Sequence, residues 1–338
     1  MRINFFVFIA ALSLASCTGD KEKKDSLESE KLLKTVAIPE FNADSAYFFL
    51  KKQVDFGPRI PNSAAHVKAG DFFIAQFKKY GAAVMTQEFS ATTYNNQKLN
   101  LRNIIASFEP ENLPAGRQGK KRILLAAHWD TRPFADKDSE KPGAQFDGAN
   151  DGASGVGVLL EIARLISINK LPGVGLDILL FDGEDWGEKE GQQNTHPLPP
   201  GLREWWCLGS QHWSKNKHTS NYSAYYGILL DMVGGKNAQF AKEGYSMEYA
   251  PSVVAKVWSA ASRLGFSHFF INAQAGFTVD DHKFVNEIGK IPMVDIVSYD
   301  PIEGFGDFHH TRKDNMEIIS KETLHAVGKT LLHVIYYE

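Results

Sequence analysis

Four short apolar runs recur along this chain, at residues 123–127, 176–181, 225–230 and 292–297, and none of them alternates cleanly between polar and apolar positions. A strand with one wet face alternates, so continuous runs of this length describe strands buried on both faces. Stretches of helical character stand between them. Residues 151–169 start on glycine and carry Val156, Leu159, Leu160, Ile162, Ala163 and Leu165; residues 251–264 follow later. Further helices are expected at 42–52, opened by Asn42, Asp44 and Ser45, at 63–80 with Phe72, Phe73, Ile74 and Phe77 inside, at 208–216 and at 321–336. Strand-like runs also occur at 83–89, 100–108 and 269–272. Doubly buried strands alternating with helices imply an α/β fold, a three-layer sandwich whose central, mixed, mostly parallel twisted sheet is flanked by helices. In such sheets function collects at the carboxyl ends of the strands.

With 338 residues, 43% of them apolar, the chain can bury a full core. A net charge of −3 without a basic block argues against nucleic acid as a partner. The N-terminus carries Arg2, an apolar stretch at 5–14 too short to span a bilayer, and Leu14-Ala15-Ser16-Cys17, which matches the lipobox of bacterial lipoproteins. The expected organisation is a lipoprotein signal at 1–17, a disordered tether at 18–36 and a single catalytic domain at 37–338. A plain secretory signal is the alternative, and both imply export. The lipobox reading adds a lipid anchor to a bacterial membrane, with the protein facing the periplasm, and a monomer is expected. Cys207 is then the only body cysteine, so no internal disulfide is available and the core must supply the stability. Between Trp206 and Leu208 it reads as a buried packing thiol.

The strand ends hold the chemistry. His128 and Asp130 follow the run at 123–127, and Asp151 opens the helical stretch after it. Glu184 and Asp185 follow 176–181, and Asp231 follows 225–230. Asp280-Asp281-His282 lies in the connection before the last strand, and His309-His310 comes after it. Singly each has an ordinary explanation, such as a helix cap or a surface imidazole. Jointly, carboxylates and imidazoles at one sheet edge suit zinc, and their mutual repulsion would be costly without a cation. Glu184 and Asp185 would point to opposite sides, so one could hold a cation while the other moves protons.

The set His128-Trp129-Asp130, Asp151-Gly152-Ala153-Ser154-Gly155, Glu184-Asp185, Asp231 and His310 resembles the zinc aminopeptidase clan. Within that clan Asp280-Asp281-His282 and His310-Thr311-Arg312-Lys313-Asp314-Asn315 make the chain most similar to glutaminyl-peptide cyclotransferases, over residues 56–336. The resemblance implies one catalytic zinc held by Asp151, Asp185 and His310. It also implies Glu184 as proton shuttle, with Asp231 and Asp280 as a hydrogen-bonded acid pair beside it. The substrates implied are peptide or protein N-termini. Trp186, Trp205 or Trp206 and His309 are expected to contact them. Asp185 stands where the animal enzymes carry glutamate and His309 where they carry tryptophan, and residues 187–204 form an insertion. Two other readings stay open. A two-zinc aminopeptidase would use the same ligands, with His128 and Asp231 on a second metal. A binding lipoprotein could keep the fold without catalysis.

Overall fold

A computed structural model describes residues 37–338 except 111–120, 170, 172, 190, 191, 193 and 194. The signal and tether expected at 1–36 lie outside these residues, as does part of the 187–204 insertion. The order of elements is α1 (Ala43–Val54), α2 (Ala64–Lys79), β1 (Ala83–Thr92), β2 (Lys98–Phe108), β3 (Arg122–His128), α3 (Ala153–Ile168), β4 (Gly175–Phe181), α4 (Leu208–Lys215) and β5 (Tyr226–Asp231). There follow β6 (Phe240–Lys242), α5 (Gly244–Tyr249), α6 (Pro251–Arg263), β7 (Phe270–Gln274), α7 (Asp281–Glu287), β8 (Met293–Val297), a 3-10 turn (Met316–Ile318) and α8 (Lys321–Tyr336).

The six-stranded sheet runs β1-β2-β4-β3-β5-β8. β1, β2 and β4 pair antiparallel, whereas β4, β3, β5 and β8 run parallel to their neighbours. This is the mixed, mostly parallel sheet that the apolar runs imply. β4, β5 and β8 are buried along their whole length. One face packs α4 and α7 through Leu124, Ala126, Leu179, Trp213, Leu229 and Val285. Helix α3 lies on the opposite face against β3, covered in turn by α1 and α8, and is buried on nearly every side.

Local chemistry explains the boundaries. The Asn42 side chain accepts from the Ser45 amide at 3.0 Å and Ser63 from that of His66 at 3.1 Å, each satisfying a free helix donor. In α2 the fully inward residues are His66, Ala69, Phe73 and Phe77, while Phe72 and Ile74 are only half-buried. The run expected at 269–272 does not join the main sheet. It forms β7, which pairs only with the three-residue β6 in a separate two-stranded sheet. Among the described residues no helix is long and apolar enough to cross a membrane.

The chain leaves β3, pairs β4 on one side of it, then returns to lay β5 on the other. Such a reversal opens a crevice at the carboxyl ends of the strands. His128, the Glu184-Asp185 pair and Asp231 are delivered there by β3, β4 and β5.

Candidate active site

The adjacent acids after β4 are set by a backbone clamp. Asp130 accepts the Glu184 amide at 3.1 Å on one oxygen and the Asp185 amide at 3.2 Å on the other. Arg132 completes the hold on Asp185, its amide reaching Oδ2 at 2.9 Å and its guanidinium the main-chain oxygen at 3.0 Å. Asp151 is not a helix cap. The first turn of α3 begins at Gly152, whose φ of 62° is left-handed, and a Cβ there would fall 2.7 Å from the His128 ring. Asp151 is thereby free to face the site, its amide held by Asp314 at 3.1 Å. Buried Arg59 grips the same loop at the carbonyls of Asp147 and Gly148. Burial works against the Arg59 charge and lowers its pKa to about 10, against the pull of Asp314, Asp130, Asp147 and Asp151.

Asp151, Asp185 and His310 come together. His310 Nε2 stands 3.0 Å from Asp185 Oδ1 and 3.6 Å from Asp151 Oδ2. Asp185 Oδ1 is buried, yet no hydrogen bond of proper geometry reaches it. Burial and then Asp151 push the Asp185 carboxyl well above the usual range, because two buried acids this close cannot both ionise without a cation. Two carboxylates and an imidazole converging in this way suit a zinc ion with one position open. His309 lies nearby, its Nε2 3.9 Å from Asp151 Oδ2, but a lysine ammonium can only donate, and Lys137 Nζ sits 2.9 Å from His309 Nδ1. Burial, then His310 and Lys137, hold the His309 pKa well below the ordinary imidazole value. His309 still brings a ring nitrogen within 4.8 Å of ligand atoms of Asp151 and His310, so it borders the donor set.

A second donor set adjoins the first. His128 Nε2 lies 3.0 Å from Asp151 Oδ1 and 3.3 Å from Asp231 Oδ1. Burial, with Asp151 and Asp280 beside it, raises Asp231 to about 7 against the pull of His128. The expected bond between Asp231 and Asp280 is not what forms. Asp231 turns to His128, and Asp280 brings a carboxylate oxygen within 4.8 Å of one from Asp295 in the middle of β8. Asp280 caps α7, which places it above β8 rather than beside β5.

Glu184 is buried next to the metal ligands. Burial first, then Asp185, Asp280 and Asp281, push its carboxyl well above the ordinary value against the pull of His128. Cys207 is buried as expected, but it is more than packing, since its thiol donates to Glu184 Oε1 at 3.2 Å. Cys207, Met232 and His310 all hold left-handed backbone, with φ of 57°, 49° and 55°. Non-glycine residues in that region carry strain, and here they cluster at the site.

A cavity of about 370 Å³ opens over these groups, walled by Trp206, Phe277, Tyr299 and Phe305. His309 lines it, as expected. Trp186 and Trp205 do not. Trp186 packs with Leu99, Leu101 and Leu208, and Trp205 turns to the His196 carbonyl at 3.3 Å. Trp206 takes the cavity wall because the Arg132 guanidinium stacks on one side, 4.6 Å from its centroid, and the His310 ring lies parallel at 5.8 Å. Arg59, Asp295 and Cys207 were not expected at the site. A charge inside the apolar run at 292–297 was the one visible sign of Asp295.

Residues 103–335 match Peptidase family M28. A Zn-dependent exopeptidase from Parabacteroides distasonis is 51% identical, with 89% of this chain and 100% of that chain covered and a TM-score of 0.82. The glutaminyl cyclase of Bacteroides thetaiotaomicron, solved with N-acetylhistamine, is 47% identical over 89% of this chain and 100% of its own, with a TM-score of 0.83. The aminopeptidase YwaD of Bacillus subtilis is 27% identical over 82% of this chain, which spans 54% of that longer protein.

Proposed function

The chain belongs to peptidase family M28, and from that premise we propose that it is a zinc-dependent glutaminyl-peptide cyclotransferase, closing an N-terminal glutamine to pyroglutamate with release of ammonia. The observation that carries this is the likeness to the Bacteroides thetaiotaomicron cyclase over 100% of that chain at 47% identity. The site supplies what the reaction needs. Zinc, when bound by Asp151, Asp185 and His310, contributes Lewis acidity toward the γ-carboxamide carbonyl. Glu184 moves the proton. The Cys207 thiol holds its Oε1, leaving Oε2 for the α-amine. Oε2 takes a proton from that amine as its nitrogen bonds the side-chain carbonyl carbon, Cδ, then hands it to the amide nitrogen, which leaves as ammonia when its bond to Cδ breaks. Nucleophile and electrophile belong to one residue, so the walls of Trp206, Phe277 and Tyr299 chiefly have to hold the ring-closing conformer.

The test is incubation of the purified protein with a Gln-initiated peptide. Loss of about 17 daltons, the ammonia expelled on ring closure, supports the cyclase. Release of the first residue refutes it. That second outcome is the two-zinc aminopeptidase reading, which the His128, Asp151 and Asp231 donor set favours. We also propose export and lipid anchoring through Cys17, supported by the Leu14-Ala15-Ser16-Cys17 motif. Cys17→Ser should release the protein from the membrane fraction, and retention there counts against the anchor.

A further inference from the structure

Glu243 lies outside the reaction cavity and no step above uses it, yet it is fully buried and gathers five donors. Oε1 accepts the amides of Tyr245 at 2.8 Å and Thr278 at 3.0 Å. Oε2 accepts the Ser246 amide at 2.7 Å, the Ser246 hydroxyl at 2.8 Å and His282 Nε2 at 2.8 Å. Burial alone would keep this carboxyl protonated, but His282 and the amides outweigh it and bring its pKa down to about 2. The knot is therefore an anion that orders its surroundings.

What it orders is the acid pair behind Glu184. Thr278 lies in the cavity wall two residues before Asp280, and His282 two residues after it. The Ser246 hydroxyl accepts the amide of Asp295 at 2.9 Å, and His282 Nδ1 faces Asp295 Oδ2 at 3.8 Å. Both members of the Asp280 and Asp295 pair are thus tied to one carboxylate. Asp280 in turn brings an oxygen within 4.8 Å of Glu184 and Cys207.

We propose that Glu243 is a positioning residue: through Thr278, His282 and Ser246 it sets where Asp280 stands in the cavity wall and so how Asp280 acts on Glu184. This rests on Glu184 being the shuttle of the cyclase reaction. The alternative is a knot that only caps α5 and stabilises the fold.

The kinetics of Glu243→Gln and of the milder Ser246→Ala on a Gln-initiated peptide separate the two, measured beside zinc content and melting temperature. Positioning predicts that Glu243→Gln lowers kcat per folded molecule about tenfold with KM within about twofold and zinc content unchanged. Ser246→Ala, which removes only one donor and the tie to Asp295, should lower kcat about threefold in the same pattern. Wild-type kcat per folded molecule in either variant overturns the proposal, and Ser246→Ala decides it alone if Glu243→Gln does not fold. An inactive wild type would instead remove the cyclase reading, and this role with it. An active wild type with unaffected variants removes only the positioning role.

Discussion

Asp130→Asn tests whether the adjacent acids work because their backbone is clamped. Each oxygen of Asp130 accepts one amide, from Glu184 at 3.1 Å and from Asp185 at 3.2 Å, in a site closed to solvent. An asparagine of the same shape keeps one acceptor and turns an NH2 toward the other amide. One hydrogen bond is lost, worth about 0.5–1.5 kcal/mol, and a buried donor is left opposed to another donor, which costs about 1–3 kcal/mol more. The expected loss of stability is about 2–4 kcal/mol, which a domain of ordinary stability survives. The catalytic loss should exceed what instability explains. If the turn relaxes by about 1 Å, Glu184 and Asp185 both leave their working positions and kcat falls about 100-fold. Urea denaturation gives the first quantity, and ammonia release per folded molecule gives the second. A variant that unfolds at the wild-type midpoint and keeps kcat within about twofold would show that Asp130 does not set the pair.

Gly187→Ala should damage the cavity wall. A Cβ there would meet the Trp206 ring at 1.9 Å, so the indole must leave its place between Arg132 and His310. KM should rise about tenfold for about 1–3 kcal/mol of destabilisation; an unchanged KM places Trp206 outside the substrate path. The acid limb of stability should report Glu243. Its pKa falls from 4.5 to about 2 on folding, so the stabilisation it brings is complete above the unfolded value and is lost as pH falls through the folded one. That difference corresponds to about 3 kcal/mol. The stability gap between wild type and Glu243→Gln should therefore be widest above about pH 5 and shrink toward pH 2. A gap that stays constant with pH counts against an ionised Glu243.

The central strands were legible because burial on both faces removes polar residues and leaves short apolar runs between the helical stretches. Strand β7 looked similar over residues 269–272, yet alternate residues of β7 face solvent, and its three-residue partner β6 is too short to show any period. Helix α5, six residues long, was invisible for the same reason. At the site, Asp151, Glu184, Asp185, Asp231 and His310 could be read because strand ends and glycine turns announce them. The direction of a tryptophan in irregular chain has no such marker. Trp186, Trp205 and Trp206 were indistinguishable until Arg132 and Leu208 showed which side each ring takes. The neighbour of Asp280 was hidden for another reason, since its approach to Asp295 brings a helix cap to the interior of a strand.

Asp151 comes before β4 in the chain, but its amide is held by Asp314 and the imidazole it meets beside Asp185 is that of His310, both beyond the last strand. The first half of the site is therefore shaped by residues that follow the last strand of the sheet. Without that tail the loop at 147–151 would lose the Asp314 carboxylate that holds its amides, and the donor set would lack its histidine. A chain truncated before His310 lacks the histidine of the donor set and also the helix that covers α3.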